Sequence, residues 1–420
     1  MTQAFYTGLT GLRAGQTAID ISANNAANIS TTGFRAYQAE FSSLFEDALV
    51  SEGGSALNQA SVGYGTQIQA NSMSLEDGPY SLSDRSTDMA IEGEGWFGIK
   101  GNSQAFYTRA GNFTFDQNSD LVTPDGNYVL GTMGGNIDFQ NNILTNVLNE
   151  VPLGDIGTTQ TLRFPQTLSY PAISTTTAQL FGNLGTDEEA RVMSADIVDA
   201  NGQKNHLKLS FEKSNPQVLP GTQWDVTAST LSSDEKTLYD TKTGKVSFNS
   251  DGGLISSTLD TIDNNGSAVT IDLGTNFEGV TSIGSTSITS SSKTDGSIAG
   301  ELVGYDINRN AEVIASFSNG RQSSVGQIAV FHFNNDQGLD RASGANFLQS
   351  SNSGEAYFKK DENGKNVVGT NVMTYKLENS NVAMEDTLTQ LIILQRSYDA
   401  NSKSISTADQ MMQKALSMDA

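Results

Sequence analysis

The stretch MTQAFYTGLTGLRAGQTAIDISANNAANISTTGF, residues 1–34, carries only two charges, Arg13 and Asp20. Within it Phe5, Leu9, Leu12, Gln16, Ile19, Ala23 and Ala26 recur at alternating steps of four and three, a heptad stripe with one polar interruption at Gln16. The other faces are small and uncharged, with Gly8, Gly11, Gly15, Ser22, Asn24 and Asn25 among them. Such a helix, poor in charge and rich in glycine, is weak alone in water and needs a partner. Gly33 is the expected stop, because glycine at a helix end takes the left-handed conformation without cost.

The other end repeats the pattern. Met384, Leu388, Leu391, Gln395, Tyr398, Ser402, Ile405, Asp409, Met412 and Leu416 keep the same spacing, and Ile392, Ala408, Met411 and Ala415 widen the apolar face. Neither glycine nor proline lies between Asn379 and Ala420, and roughly 35 helical residues would make a rod of roughly 50 Å. Asn381 is the expected N-cap, with Glu385 and Asp386 complementing the helix dipole. Two such helices predict a terminal coiled coil, 1–34 with 372–420, and everything else inserted between. Their second, nearly neutral faces would then form an exposed patch of the kind that marks association surfaces.

Across 420 residues, 24 Lys+Arg stand against 47 Asp+Glu, a net charge of −23. Residues 372–420 hold four basic and six acidic side chains, so nearly all the acidity belongs to 35–371. A pI near 4.3 argues against nucleic acid, whose phosphates need surplus cations, and against anionic membranes. Cysteine is absent and the only histidines are His206 and His332, which leaves no basis for a disulfide, a metal centre or another cofactor. No apolar run is long enough for membrane insertion. The N-terminus lacks the basic and continuous apolar regions of a cleaved signal peptide.

The interior reads as β-structure. Asp77-Gly78, Asp125-Gly126, Asn201-Gly202, Asp251-Gly252, Asn265-Gly266, Asp295-Gly296, Asn319-Gly320 and Asn363-Gly364 suit turns that need positive φ. Turns at this density predict antiparallel sheets or barrels, not βαβ units. The fold class is therefore α+β and mainly β. It comprises the helical pair, a connector at 35–69, an inner β domain built from 70–170 and 296–371, and an outer β domain at 175–295 inserted into it. The Gly/Ser-rich stretch Val50–Gly65 and the passages 155–180 and 282–295 are the expected compliant segments. Gly93-Glu94-Gly95-Trp96-Phe97-Gly98 matches a dinucleotide fingerprint in letters. A strand pattern follows it where that motif needs a helix, so a glycine turn within a hairpin is the better reading. Both histidines are expected on the surface or half buried in strands. The acids at 187–189 and 361–362 lack a calcium-loop pattern and read as solvated turns. No catalytic residues emerge, and no enzyme is indicated.

Ala23-Asn24-Asn25-Ala26-Ala27-Asn28-Ile29-Ser30-Thr31-Thr32-Gly33-Phe34-Arg35 closely resembles the signature of bacterial flagellar rod and hook proteins, with Asn24, Asn25, Asn28, Thr31, Gly33, Phe34 and Arg35 at the motif positions. The passages 91–97, 107–113, 121–131, 315–320, 339–347 and 380–385 are similar to the same family's text, and these matches bracket the chain at both ends. The resemblance implies a structural homopolymer, not an enzyme. In that family terminal helices pack into a tube around a channel and β domains project outward. It further implies a hook subunit, part of a curved coupling that transmits torque from rod to filament. The implied partners are identical subunits, the distal rod, the hook cap, the hook–filament junction proteins and the flagellar type III export apparatus, with export outside the cell and no cleaved signal.

Helix packing and polymerisation would then fall to Phe5, Leu9, Leu12, Ile19, Ala23, Ala26, Met384, Leu388, Leu391, Tyr398, Ile405, Met412 and Leu416. Two alternatives stand beside this. A distal rod subunit has the same ends but a shorter middle. An extracellular β-rich glycan-binding or hydrolytic protein would show clustered aromatics with paired acids, company that Trp96 and Trp224 lack in the sequence.

Overall fold

The computed structural model describes residues 2–44, 65–101, 104–217, 220–284 and 290–418. It is mainly β, with α1 (Thr2–Ala27) and α2 (Met384–Met418) packed on each other at one end. The helices run antiparallel. Gly8 faces Ile405 and Gly11 faces Asn401, so close that a Cβ at either would stand 2.9 and 2.7 Å from the opposing side chain.

Helix α1 stops earlier than the sequence predicts, at Ala27, where the Asn28 amide donates to the Asn24 carbonyl at 2.9 Å. Gly33 serves another purpose. It sits at φ +68°, its N–H donates to the Glu378 carbonyl at 2.8 Å, and a Cβ there would run into the Ala110 backbone. Asn381 caps nothing. Its Oδ1 accepts the Ala36 N–H at 2.7 Å and its amide donates to the Glu76 carbonyl at 2.8 Å, so it ties three segments together.

Residues 35–69 are not simply a connector. Strand β1 (Tyr37–Ser43) pairs antiparallel with β2 (Thr66–Met73), and the hairpin lies along α1. The stretch Val50–Gly65, apart from Gly65, falls outside the described residues.

Beyond the hairpin, Tyr80–Leu82 pairs with Lys376–Glu378, and Met89–Glu92 with Asn371–Thr374, so the chain enters and leaves the β body side by side. That body is a large, mostly antiparallel sheet system built from both flanks of the sequence. Phe97, Phe113, Val129, Phe164, Val313 and Ile328 fill one core; Trp96, Tyr107, Phe331, Phe347 and Phe358 fill a second. A further β unit holds a five-stranded antiparallel meander from Arg191 to Ser257, packed on a sheet centred on Thr177–Asn183. Its buried apolar residues run from Ala178 to Val280.

Several expectations need correction. Thr177–Asn183 pairs in parallel with Ser267–Asp272 and Glu278–Thr281, so the sheets are not purely antiparallel. The Gly93–Gly95 turn, with φ of +95° and +130° at its glycines, joins strands of two different sheets and is no hairpin. Residues 155–180 are not a loose passage. Leu162, Phe164, Leu168 and Tyr170 are buried in the first core. In the return passage Ser291–Thr294 pairs with the 178–181 strand, while 285–289 lie outside the described residues. Gly78 and Gly296 do not take positive φ; each is glycine because neighbouring atoms, around Asn379 and Thr175, leave no room for a side chain. His332 is fully buried, its Nε2 3.0 Å from the Val368 carbonyl, and burial lowers its pKa.

Candidate assembly surface and its joint to the β body

The helix seam does not follow the apolar heptad. On α1 the buried positions are Gly8, Ala14, Gly15, Ala18, Ser22 and Asn25. Phe5, Leu9, Leu12, Ile19 and Ala26 flank them half buried, and Ala23 and Gln16 are exposed. Small residues let two backbones approach closely, so larger apolar side chains move to the shoulders of the contact. On α2 the less exposed side runs through Thr387, Leu391, Leu394, Asn401, Ile405, Ala408 and Met412. Of the expected stripe, Leu391, Ile405 and Met412 therefore turn toward α1. Met384, Leu388, Tyr398 and Leu416 turn outward, joined there by Ile392, Ile393 and Met411. Ile393 is 60% and Leu416 74% exposed, values far from those of a finished core. Where α1, β1 and α2 meet, a groove of about 240 Å³ opens between Ala18, Ile21, Phe41, Ile393 and Leu394.

Below the helices lies a buried ionic joint. Arg35, the basic residue that ends the Asn-rich motif, places Nη2 3.0 Å from Asp77 Oδ1 and 2.9 Å from Glu378 Oε1, and donates to the Glu76 carbonyl. Arg109 approaches the same two carboxylates at 3.6 and 3.5 Å, donates to the Ile91 and Gly93 carbonyls, and lies 5.4 Å from the Trp96 ring centre. Glu378 also accepts the Gly78 N–H, and Asp77 accepts the Gly93 N–H and the Tyr80 hydroxyl. Two positive and two negative groups thus close a neutral cluster, which is how buried charge is tolerated. Burial pushes Asp77 up, but the Gly93 N–H and the guanidinia outweigh it and hold the carboxyl low. At Glu378 burial wins and the pKa is raised against the pull of Arg35 and Arg109. Burial lowers Arg109 and raises Tyr80.

The motif residues converge on this joint. Asn25 exchanges two hydrogen bonds with the Tyr37 backbone, at 2.7 and 3.0 Å. Asn28 accepts the Thr31 hydroxyl, and Phe34 is buried. Sequence reasoning missed Asp77, Arg109 and Glu378. The available signal was an arginine set among aromatics at Tyr107-Thr108-Arg109, where a strand core needs acidic partners. Trp96 likewise has aromatic company and one acid that the sequence did not show. It packs on Phe347 at 4.8 Å and donates to Asp336 at 3.0 Å, yet at 1% exposure it presents no platform to a ligand.

Comparison with known sequences matches four families in chain order. Residues 5–35 match "Flagella basal body rod protein", 90–158 "Flagellar hook protein FlgE/F/G D1 domain", 168–297 "Flagellar basal body protein FlaE D2 domain", and 374–418 "Flagellar basal body rod FlgEFG protein C-terminal". The helical ends and both β units thus fall in the flagellar rod-and-hook class. Over its whole length the chain is 28% identical to the flagellar hook protein FlgE of Treponema pallidum, covering all of both chains. To the FlgE hook protein of Salmonella typhimurium it is 27% identical, over 97% of this chain and 98% of that one. The crystal structure of the hook protein FlgE2 of Helicobacter pylori shares the fold, with a TM-score of 0.55, 18% identity, and coverage of 71% of this chain and 100% of that one. The four family matches in chain order and the full-length likeness to hook proteins together support a flagellar hook protein.

Proposed function

We propose that this protein is the structural subunit of the bacterial flagellar hook and assembles with copies of itself into a curved helical tube that couples rod to filament. The observation that carries this reading is the outward apolar side of α2, from Met384 through Ile393 to Leu416, a near-continuous exposed strip on one helix, whereas each β unit closes an apolar core of its own. An open helical polymer needs head-to-tail contacts between unlike patches. A helical pair of low net charge supplies them without the repulsion that a body of strong negative charge would bring. In the tube the helical pair, 1–34 with 372–420, forms the inner wall. The inner β domain (70–170 and 296–371) and the inserted outer domain (175–295) stand outside it. The role is mechanical, and catalysis has no part in it. By family likeness the neighbours are the distal rod, hook cap and junction proteins, and the chain leaves the cell through the flagellar export apparatus. The outer unit favours hook over distal rod, since a rod subunit has no evident use for it.

The test is assembly from purified protein, viewed by electron microscopy. Full-length chain is expected to form curved tubes. Deletion of residues 1–30 should abolish them while both β units keep their cooperative melting, because each has its own core. Straight, short cylinders would move the protein to the rod, and tubes from the truncated chain would refute the assembly surface.

A further inference from the structure

The turn from Asn335 to Arg341 belongs to the β body, yet two of its side chains reach the root of the helical rod. The turn is itself firmly held. Asp336–Gly338 forms one turn of 3-10 helix, Asp336 accepts the Trp96 indole N–H, the Ser350 hydroxyl donates to the Gly338 carbonyl, and Gly338 lies so close to the Asn352 backbone that a Cβ would collide. From this base Gln337 grips both backbone groups of Met73, the last residue of β2. Its Oε1 accepts the Met73 N–H at 2.8 Å and its Nε2 donates to the Met73 carbonyl. Arg341 reaches the other side of the root. Its guanidinium lies 5.2 Å from the Phe34 ring centre and 5.3 Å from that of Tyr37, and Nη1 donates to Asn24 Oδ1 at 3.3 Å.

We propose that Gln337 and Arg341 are positioning residues, a two-point clip that sets the direction in which the rod leaves the β body. The Arg35 joint alone would act as a pivot; two further contacts to one side of it, on β2 and on the α1–β1 bend, resist rotation. The residue types suit the task. A glutamine amide offers one acceptor and one donor group to a backbone N–H and C=O. A planar guanidinium lies against two rings while donating to an amide oxygen, which an ammonium on a flexible stem does not reproduce. The passage 339–347 resembles hook-protein text in the sequence, and this gives its arginine a role.

The hook-subunit reading matters here only for the consequence, a fixed rod angle in the tube, and the test uses the unassembled full chain so the two can fail separately. Because the chain has no cysteine, spin labels can be placed at Gln69→Cys on β2 and Lys360→Cys on the body, both exposed. The distance distribution between them should be narrow in the parent and about twofold wider or more in Gln337→Ala/Arg341→Ala. Arg341→Lys alone should also widen it, since the charge remains and the planar contact is lost. A control pair within the body, Asp125→Cys with Lys360→Cys, should stay narrow throughout. An unchanged width in the double variant, parent-like width in Arg341→Lys, or equal widening of the control pair would each overturn the proposal.

Discussion

The helical rod and the outer β unit draw on similar apolar residues, but only the outer unit closes a core around them. In the outer unit Trp224, Phe211 and Leu207 are fully buried, because two sheets face each other and close a core within one chain. In the rod, Leu388, Ile392, Ile393 and Leu416 stay largely in water, because α2 packs on α1 along one seam and its outer side has no cover. Burying an apolar side chain of this size is worth about 1.5–3 kcal/mol, so the uncovered side of α2 holds a large driving force not spent on folding. The outer unit is built to be stable alone, and the rod to be stabilised by its neighbours.

The largest effect should come from charging that side. Ile392→Asp with Ile393→Asp gives up two apolar sites and crowds like charges in the polymer, so the critical concentration for tube formation should rise at least about 100-fold. The melting of the unassembled chain should stay put. If the doubly charged variant assembles normally, the contrast between the two regions collapses. The converse change comes next. Trp224→Ala in the outer core should cost that unit about 3–5 kcal/mol in denaturant unfolding, while the helical pair still drives tube formation. Loss of assembly with the outer core disrupted would show that the outer unit is not independent of the rod.

How much of this is legible in the sequence divides along the same line. Four-three spacing marked both helices, because any helix that buries one side must repeat near that period, and turn dipeptides marked the β interior for a similar local reason. Which face of α1 meets α2 was not legible. Periodicity favours large apolar residues such as Leu9 and Leu12, whereas the seam is chosen by how closely backbones can approach, and Gly8 and Gly11 win there. The hairpin of β1 with β2 was hidden because its strands are separated by a long Gly/Ser-rich stretch, so no short turn announces it. The joint was least visible. Arg35 and Glu378 lie 343 residues apart in sequence and only 2.9 Å apart in space, and an ion pair carries no local pattern. Gly93–Gly95 shows the same limit: the glycines signal a bend, but which sheets it joins depends on the distant strand Asn371–Thr374.

The smallest effect lies at the boundary between the two regions, and pH makes it specific. Asp77→Asn removes one carboxylate facing Arg35 and Arg109 while Glu378 remains, and Asp77 keeps some contact with water, so a loss of about 1–2 kcal/mol is expected at pH 7. The sign of the pH dependence follows from the lowered Asp77 carboxyl. Its ordinary value is 3.8 and its folded value lies below that, so its contribution is fully present above about pH 4 and fades as pH falls through the folded value. The stability gap between native chain and variant should therefore be widest near neutrality and close in acid. Glu378 works in the opposite sense, because burial raises its pKa and favours the protonated form in the folded state. It is present in both chains, so it largely cancels in the difference, short of the small upward push that Asp77 itself exerts. Denaturant unfolding of both chains at pH 7 and pH 3 measures the gap directly. A gap that stays constant between those values would mean that Asp77 serves the joint by shape alone, and that rod and β body are held together there without help from its charge.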